Sequence, residues 1–297
     1  MEMEIVRIGE VDLAYEIFGM KTNNDIILIS GLGSQMIRWE NSFCSLLVGK
    51  GFRVIRFDNR DAGSSVFNSQ KEINSKQNIE EQFSTLHENE IPYSLTDMVY
   101  DVIGLLDHLK IDKVHIAGRS MGGIIGQLMA SFYPARVRTL TIIMSTSLHP
   151  ALPPPDPEIM QIMMQPGTDP VVDKEQYIKE KIDFTEKISG TLYKPDHNRE
   201  RTLIEEELQR LKTKNGIIRQ LMAIGSWKYN PEILKEIKVP TLVIHGTDDL
   251  IFHPDCGKDI AASIPDSELI LIEGMGHSIP TELYGLICKS IIDLAQK

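Results

Sequence analysis

The chain reads as an α/β domain: a mostly parallel, doubly wound sheet with a helical cap inserted after the sixth strand. Three observations predict this. Short, nearly continuous runs of Val, Ile and Leu recur along the chain, as expected of strands buried on both faces of a parallel sheet. Helical patterns alternate with them, which is the signature of crossover connections. One stretch, 148–236, breaks the alternation with charged helical patterns and no strand.

Residues 4–8 and 12–18 flank Gly9-Glu10-Val11 and predict an opening hairpin. Ile26–Ser30, Arg53–Phe57, Lys113–Ala117 and Leu140–Met144 supply the next four strands, and Thr241–His245 and Glu268–Ile272 the last two. Thr96–Leu109 carries Met98, Val99, Val102, Leu105, Leu106 and Leu109 on one helical face. Ser120–Tyr133 follows a strand directly, and Pro254–Ile264 and Pro280–Ala295 follow the last two turns. The inserted stretch leaves its strand through His149-Pro150-Ala151-Leu152-Pro153-Pro154-Pro155 and continues with helical patterns at Asn198–Lys212 and Ile217–Trp227. The expected organisation is therefore a core of residues 1–147 and 237–297 and a cap of residues 148–236.

A length of 297 residues suits one such core with an insertion. Apolar residues at 42% and charged residues at 25% exclude wholesale disorder, collagen-like repeats and coiled coil. A formal charge of −11 repels phosphate backbones and anionic lipid, so neither nucleic acid nor membrane is an expected partner. Cys44, Cys256 and Cys288 are odd in number and widely spaced, as in reduced thiols rather than a disulfide framework. The start Met-Glu-Met-Glu-Ile has no basic segment leading into an apolar run, which predicts no signal peptide and a cytoplasmic location. No sequence feature argues for an oligomer.

No cofactor or metal site is expected. His87, His108, His115, His149, His197, His245 and His253 form no short metal-ligand spacing and read as surface or core histidines. Gly31-Leu32-Gly33 follows a strand, but Met36 stands where a dinucleotide loop needs its third glycine.

The chemistry concentrates at three strand ends. Lys113–Ala117 runs into Gly118-Arg119-Ser120-Met121-Gly122-Gly123 and then a helix, which is G-x-S-x-G in the strand–turn–helix setting that displays a nucleophilic serine. A serine nucleophile needs a base, and the base needs an orienting carboxylate. Strand Thr241–His245 leads into Gly246-Thr247-Asp248-Asp249, and strand Glu268–Ile272 into Glu273-Gly274-Met275-Gly276-His277. Acid and histidine thus fall at the carboxyl edge of the sheet, where open α/β sheets bind ligands. Ser120, His277 and Asp249 are the candidate catalytic residues, with Asp248 the alternative acid or a brace for the loop. The backbone amides of Leu32 and Met121 are the candidate oxyanion donors. Met160, Met163, Met164 and Met222 in the insertion read equally as helix core or as a soft apolar wall over the nucleophile.

With these residues in place, the chain resembles the α/β-hydrolase superfamily over nearly its whole length. Gly31-Leu32-Gly33, the stretch from Arg56 to Ser65 (RFDNRDAGSS) and Ser120-Met121-Gly122-Gly123 are similar to the aclacinomycin methylesterase-like branch. The resemblance implies an α/β-hydrolase fold and a cofactor-free hydrolase of carboxylic esters, with a small-molecule ester as substrate. It implies the same roles for Ser120, Asp249, His277, Leu32 and Met121. Many relatives carry His-Gly before the oxyanion residue, whereas this chain has Ser30-Gly31, so the loop is expected to be braced differently. A lactonase, a carbon–carbon bond hydrolase or a cofactor-free perhydrolase would use the same triad. A catalytically silent ligand-binding member is the alternative of a different class. The cap, from its apolar Met, Ile and Leu content, is expected to set substrate size, and the expected substrates are small to medium apolar esters.

Overall fold

A computed structural model describes residues 2–21, 24–68, 91–213 and 216–297. Among these, nine strands form one sheet in the order β1-β2-β4-β3-β6-β7-β8-β9, with β5 paired to β2. The strands are β1 (Glu4–Ile8), β2 (Val11–Phe18), β3 (Asp25–Ile29), β4 (Arg53–Phe57), β5 (Val66–Phe67), β6 (Val114–Arg119), β7 (Val137–Ile143), β8 (Thr241–Gly246) and β9 (Glu268–Ile272). The β1–β2 hairpin runs Glu4↔Tyr15 to Ile8↔Val11, and β2 meets β4 antiparallel. From β4 to β9 every neighbouring pair is parallel.

The expected fold class is borne out, with one difference in count. The two-residue strand β5 makes the strand before the insertion the seventh in chain order, not the sixth. Two residues are too few to show an alternating pattern, and β5 is defined only by its pairing of Val11 with Phe67 and Asp12 with Val66.

The apolar runs divide residue by residue between two cores. Ile27, Ile29, Ile55, Ile116, Ile142 and Val243 face one side. Ile26, Leu28, Val54, Ala117, Ile143 and Ile244 face the other. This is the period of two of a strand, applied to a sheet covered on both faces. Each fully buried Val, Ile or Leu contributes about 1.5–3 kcal/mol. Helices α2 (Leu95–His108), α3 (Met121–Phe132) and α9 (Pro254–Ser263) pack on the first side. Helices α1 (Asn41–Val48) and α10 (Tyr284–Ala295) pack on the second. Helix α2 starts one residue earlier than the apolar pattern suggests. Ser94 forms a capping box with Asp97, its hydroxyl accepting from the Asp97 amide at 3.2 Å while the Ser94 amide donates to Asp97 at 2.7 Å.

Between β7 and β8 lie α4 (Pro157–Met164), α5 (Lys174–Ile188), α6 (His197–Arg210), α7 (Gly216–Gly225) and the short α8 (Glu232–Lys235). Three of these helices open on aspartate caps, at Asp156, Asp173 and Asp196. The insertion touches the core through charge as well as through apolar surface. Arg210 of α6 donates to Asp58 at 2.8 Å, and Arg219 of α7 pairs with Asp61 at 2.5 Å. Asp58 and Asp61 are the two aspartates of the FDNRD stretch, and both are buried. Arg60 of the same stretch pairs with Asp101 of α2 at 2.6 Å.

The three cysteines are free and buried. Burial pushes the thiols of Cys44 and Cys288 up to about 12 and that of Cys256 to about 11, so none presents a thiolate at neutral pH. Among the described residues no helix is long and apolar enough to cross a membrane. His87 lies outside the described residues.

Candidate active site

Strand β6 ends at Arg119, and α3 begins at Met121, so Ser120 alone makes the turn. Its backbone has φ 53° and ψ −124°, a conformation that costs a non-glycine residue about 1–3 kcal/mol. The surroundings hold it there. The Ser120 amide donates to the Ile143 carbonyl at 2.9 Å, and its own carbonyl accepts from the Ser145 hydroxyl at 2.8 Å. The turn requires glycine at its flanks. A Cβ on Gly118 would stand 2.2 Å from the Gly122 carbonyl oxygen, and one on Gly122 would stand 2.2 Å from the Ile29 carbonyl oxygen.

Three side chains spread over more than 150 residues of chain meet here. The Ser120 hydroxyl lies 3.0 Å from His277 Nε2. His277 Nδ1 lies 2.7 Å from Asp249 Oδ2. Asp249 Oδ1 accepts from the amides of Ile251 at 2.9 Å and Phe252 at 2.8 Å. With the carboxylate an acceptor, Nδ1 carries the ring proton and Nε2 is left to accept from the serine. Burial pushes the Asp249 carboxyl up, but the His277 and His245 rings outweigh it and hold the group well below the usual carboxylate range. Asp248 points elsewhere. Its carboxylate accepts from the Thr191 amide at 3.1 Å and from the Thr247 hydroxyl at 2.9 Å, which ties this loop to the end of α5.

Between β3 and α1, the Gly31–Ser34 turn closes with the Ser34 amide donating to the Gly31 carbonyl at 3.2 Å. It lies against Ser120, because a Cβ on Gly31 would meet Ser120 Cβ at 3.0 Å. Among the described residues the Leu32 and Met121 amides have no protein acceptor. The FDNRD stretch braces the start of this turn: Asn59 donates to the Ser30 carbonyl at 2.9 Å.

Several contributors were not legible in the sequence. Gln220 of α7, fully buried, accepts from the Gly33 amide at 2.8 Å and donates to the Arg60 carbonyl at 2.7 Å. It therefore joins the loop that carries Leu32 to the FDNRD turn. The His277 amide donates to the Ile188 carbonyl at 2.6 Å, and the Gly276 amide to the Ser189 carbonyl at 3.0 Å, so the end of α5 grips the histidine loop. His245, read as a core or surface histidine, is buried with Nε2 3.4 Å from Asp249 Oδ2 and 2.8 Å from the Phe252 carbonyl. A carbonyl only accepts, so Nε2 carries the proton, and Nδ1 is buried without a partner among the described residues. These contacts cross more than 150 residues for Gln220 and depend on tertiary packing rather than on local pattern.

Of the four methionines in the insertion, Met222 is buried, Met160 is exposed, and Met163 packs on a cluster of Ile159, Ile188 and Ile251. Phe252, on the edge of that cluster, meets the His277 ring edge-on at 5.4 Å.

Comparison with known proteins follows the same lines. The family model described as alpha/beta hydrolase fold matches residues 25–282. The chain belongs to the alpha/beta hydrolase fold family. It is 24% identical to the rhodomycin D methylesterase of Streptomyces peucetius, an alignment covering 98% of this chain and 97% of that one. Among solved structures it resembles the enol-lactonase of Burkholderia xenovorans, with TM-score 0.71 and 22% identity over 99% of this chain and 100% of that one. It also resembles a bromoperoxidase of Bacillus anthracis, with TM-score 0.73 and 20% identity over the whole of both chains. At these identities the structural neighbours speak for the fold.

Proposed function

We propose that the protein is a carboxylic ester hydrolase that works through an acyl-enzyme on Ser120. The observation that carries this reading is the continuous hydrogen-bonded chain from Ser120 through His277 to Asp249, mounted on a strained strand–helix turn. The similarity to rhodomycin D methylesterase supports esters as the substrate class.

In this mechanism the Ser120 oxygen attacks the ester carbonyl carbon as His277 Nε2 takes the hydroxyl proton. The tetrahedral oxyanion is received by the Leu32 and Met121 amides and by the positive end of α3. His277 then returns the proton to the departing alcohol. A water enters, gives its proton to His277 and attacks the acyl carbon, and collapse releases the acid and restores Ser120. Asp249 stays ionised throughout and holds the ring with Nδ1 protonated. Losing one oxyanion donor typically costs ~3 kcal/mol of barrier. A lactone would pass through the same steps, with the alcohol remaining tethered to the acid.

The pH profile tests the base. His277 works only when its ring is neutral, and Asp249 titrates far below the assay range. The rate of p-nitrophenyl acetate hydrolysis is therefore expected to rise from the acid side as the base loses its proton. A rate flat from about pH 5 to 9 would exclude an imidazole base. Comparing p-nitrophenyl esters of increasing acyl length then sizes the pocket under the cap.

A further inference from the structure

Arg119 stands directly before the nucleophile, and its charge is unanswered. Every other arginine among the described residues, except the exposed Arg138, pairs with a carboxylate. Arg119 instead donates through Nη2 to the Ser34 hydroxyl and lies over the Trp39 ring, 5.5 Å from its centroid. Ser34 is the last residue of the turn that carries Leu32. The guanidinium is thus fixed against the oxyanion loop.

The site lies deep between core and cap. Its charged neighbours are Arg38, Glu200 and Glu207, and the two glutamates are already engaged by Arg38 at 2.5 and 2.7 Å. Arg119 itself is partly buried and keeps some accessible surface. Burial and the like charge of Arg38 lower it to about 10. A guanidinium has five N–H groups, and Ser34 uses one. Lys181 of α5 shares the neighbours Glu207 and Arg38, lies over the Tyr177 ring at 5.4 Å, and has no ion pair among the described residues. Glu180 is the third carboxylate of this neighbourhood, and it is engaged by the Thr168 amide and hydroxyl and by Gln176.

We propose that Arg119 recognises a carboxylate on the substrate, so that the enzyme favours esters carrying a free acid a few bonds from the scissile carbonyl. The proposal rests on the esterase reading. An entering carboxylate would supply the partner that the protein withholds, and a guanidinium binds it in the two-point geometry that a lysine lacks.

The test compares matched esters. The pair 4-nitrophenyl hydrogen glutarate and 4-nitrophenyl valerate places the acid on the acyl side. The pair 4-carboxyphenyl acetate and its methyl carboxylate ester places it on the alcohol side. The readout is the charged-to-neutral ratio of kcat/KM, which cancels any general loss of activity. At least one pair is expected to show a ratio of about ten or more in the wild type. That ratio should fall to near one in Arg119→Met and Arg119→Gln and be partly kept in Arg119→Lys. Ratios near one for both pairs in the wild type, or an unchanged ratio in the variants, would overturn the proposal. A second readout is independent of turnover: binding of monomethyl glutarate to Ser120→Ala, expected to weaken at least tenfold in Ser120→Ala/Arg119→Met. If the wild type hydrolyses none of these esters, the esterase reading fails, and equal binding by the two Ser120→Ala proteins would sink the carboxylate site as well.

Discussion

Ser120→Ala is expected to lower kcat toward p-nitrophenyl esters by about four to six orders of magnitude, the scale seen when a triad nucleophile is removed. The nearest base, His277 Nε2, is 3.0 Å from the Ser120 hydroxyl and aimed by Asp249. Without the hydroxyl the base has nothing to deprotonate but water, and water is not held against the carbonyl by the turn. What remains is the contribution of the oxyanion amides and of substrate binding. The fold should survive, because alanine removes the hydroxyl of a partly buried residue whose one side-chain hydrogen bond among the described residues is to the histidine. An unchanged melting temperature with activity abolished is the expected pair of results. Activity retained in a pure Ser120→Ala preparation would mean that another group attacks.

The second large effect concerns stability. Asp58 is completely buried and serves three donors: the Met36 amide at 2.6 Å, the Ser64 amide at 2.9 Å and Arg210 of α6 at 2.8 Å. Burial pushes its carboxyl above the usual range despite these partners. Asp58→Ala leaves the Arg210 guanidinium with the Gln35 side chain at 3.1 Å as its remaining oxygen partner, and strands two buried amides. Breaking one half of such a pair costs about 3–5 kcal/mol, or on the order of 10 °C in Tm for a domain of this size. Asp58→Ala/Arg210→Met should recover part of that loss, since it removes the unpaired charge. Thermal unfolding of wild type, both single variants and the double variant checks the coupling. Strict additivity would show that Asp58 and Arg210 do not act as a pair.

Those two residues also show what a single sequence makes legible. The nucleophile turn, the acid loop and the histidine loop were readable because each directly follows an apolar strand, and a parallel sheet delivers all such ends to one edge. The choice between Asp248 and Asp249 was not readable, since both lie on one short loop and only the tertiary position of His277 separates them. The FDNRD stretch stood out as a resemblance, but its physical work was hidden. Asp58 and Asp61 meet Arg210 and Arg219 across more than 150 residues of intervening chain. Gln220 looked like any polar residue on an amphipathic helix, yet it is buried between Gly33 and Arg60. Helix ends moved by a residue or two where a cap such as Ser94 decided the start. The two-residue β5 left no trace because its identity lies in its pairing partner.

The central claim is that Ser120 is a nucleophile activated by His277. The most direct measurement is covalent trapping with a fluorophosphonate, read by intact mass and by peptide mapping. The account predicts one adduct per chain, located on Ser120, absent in Ser120→Ala and formed far more slowly in His277→Ala. An unlabelled wild-type protein, or an adduct on any other residue, would contradict it.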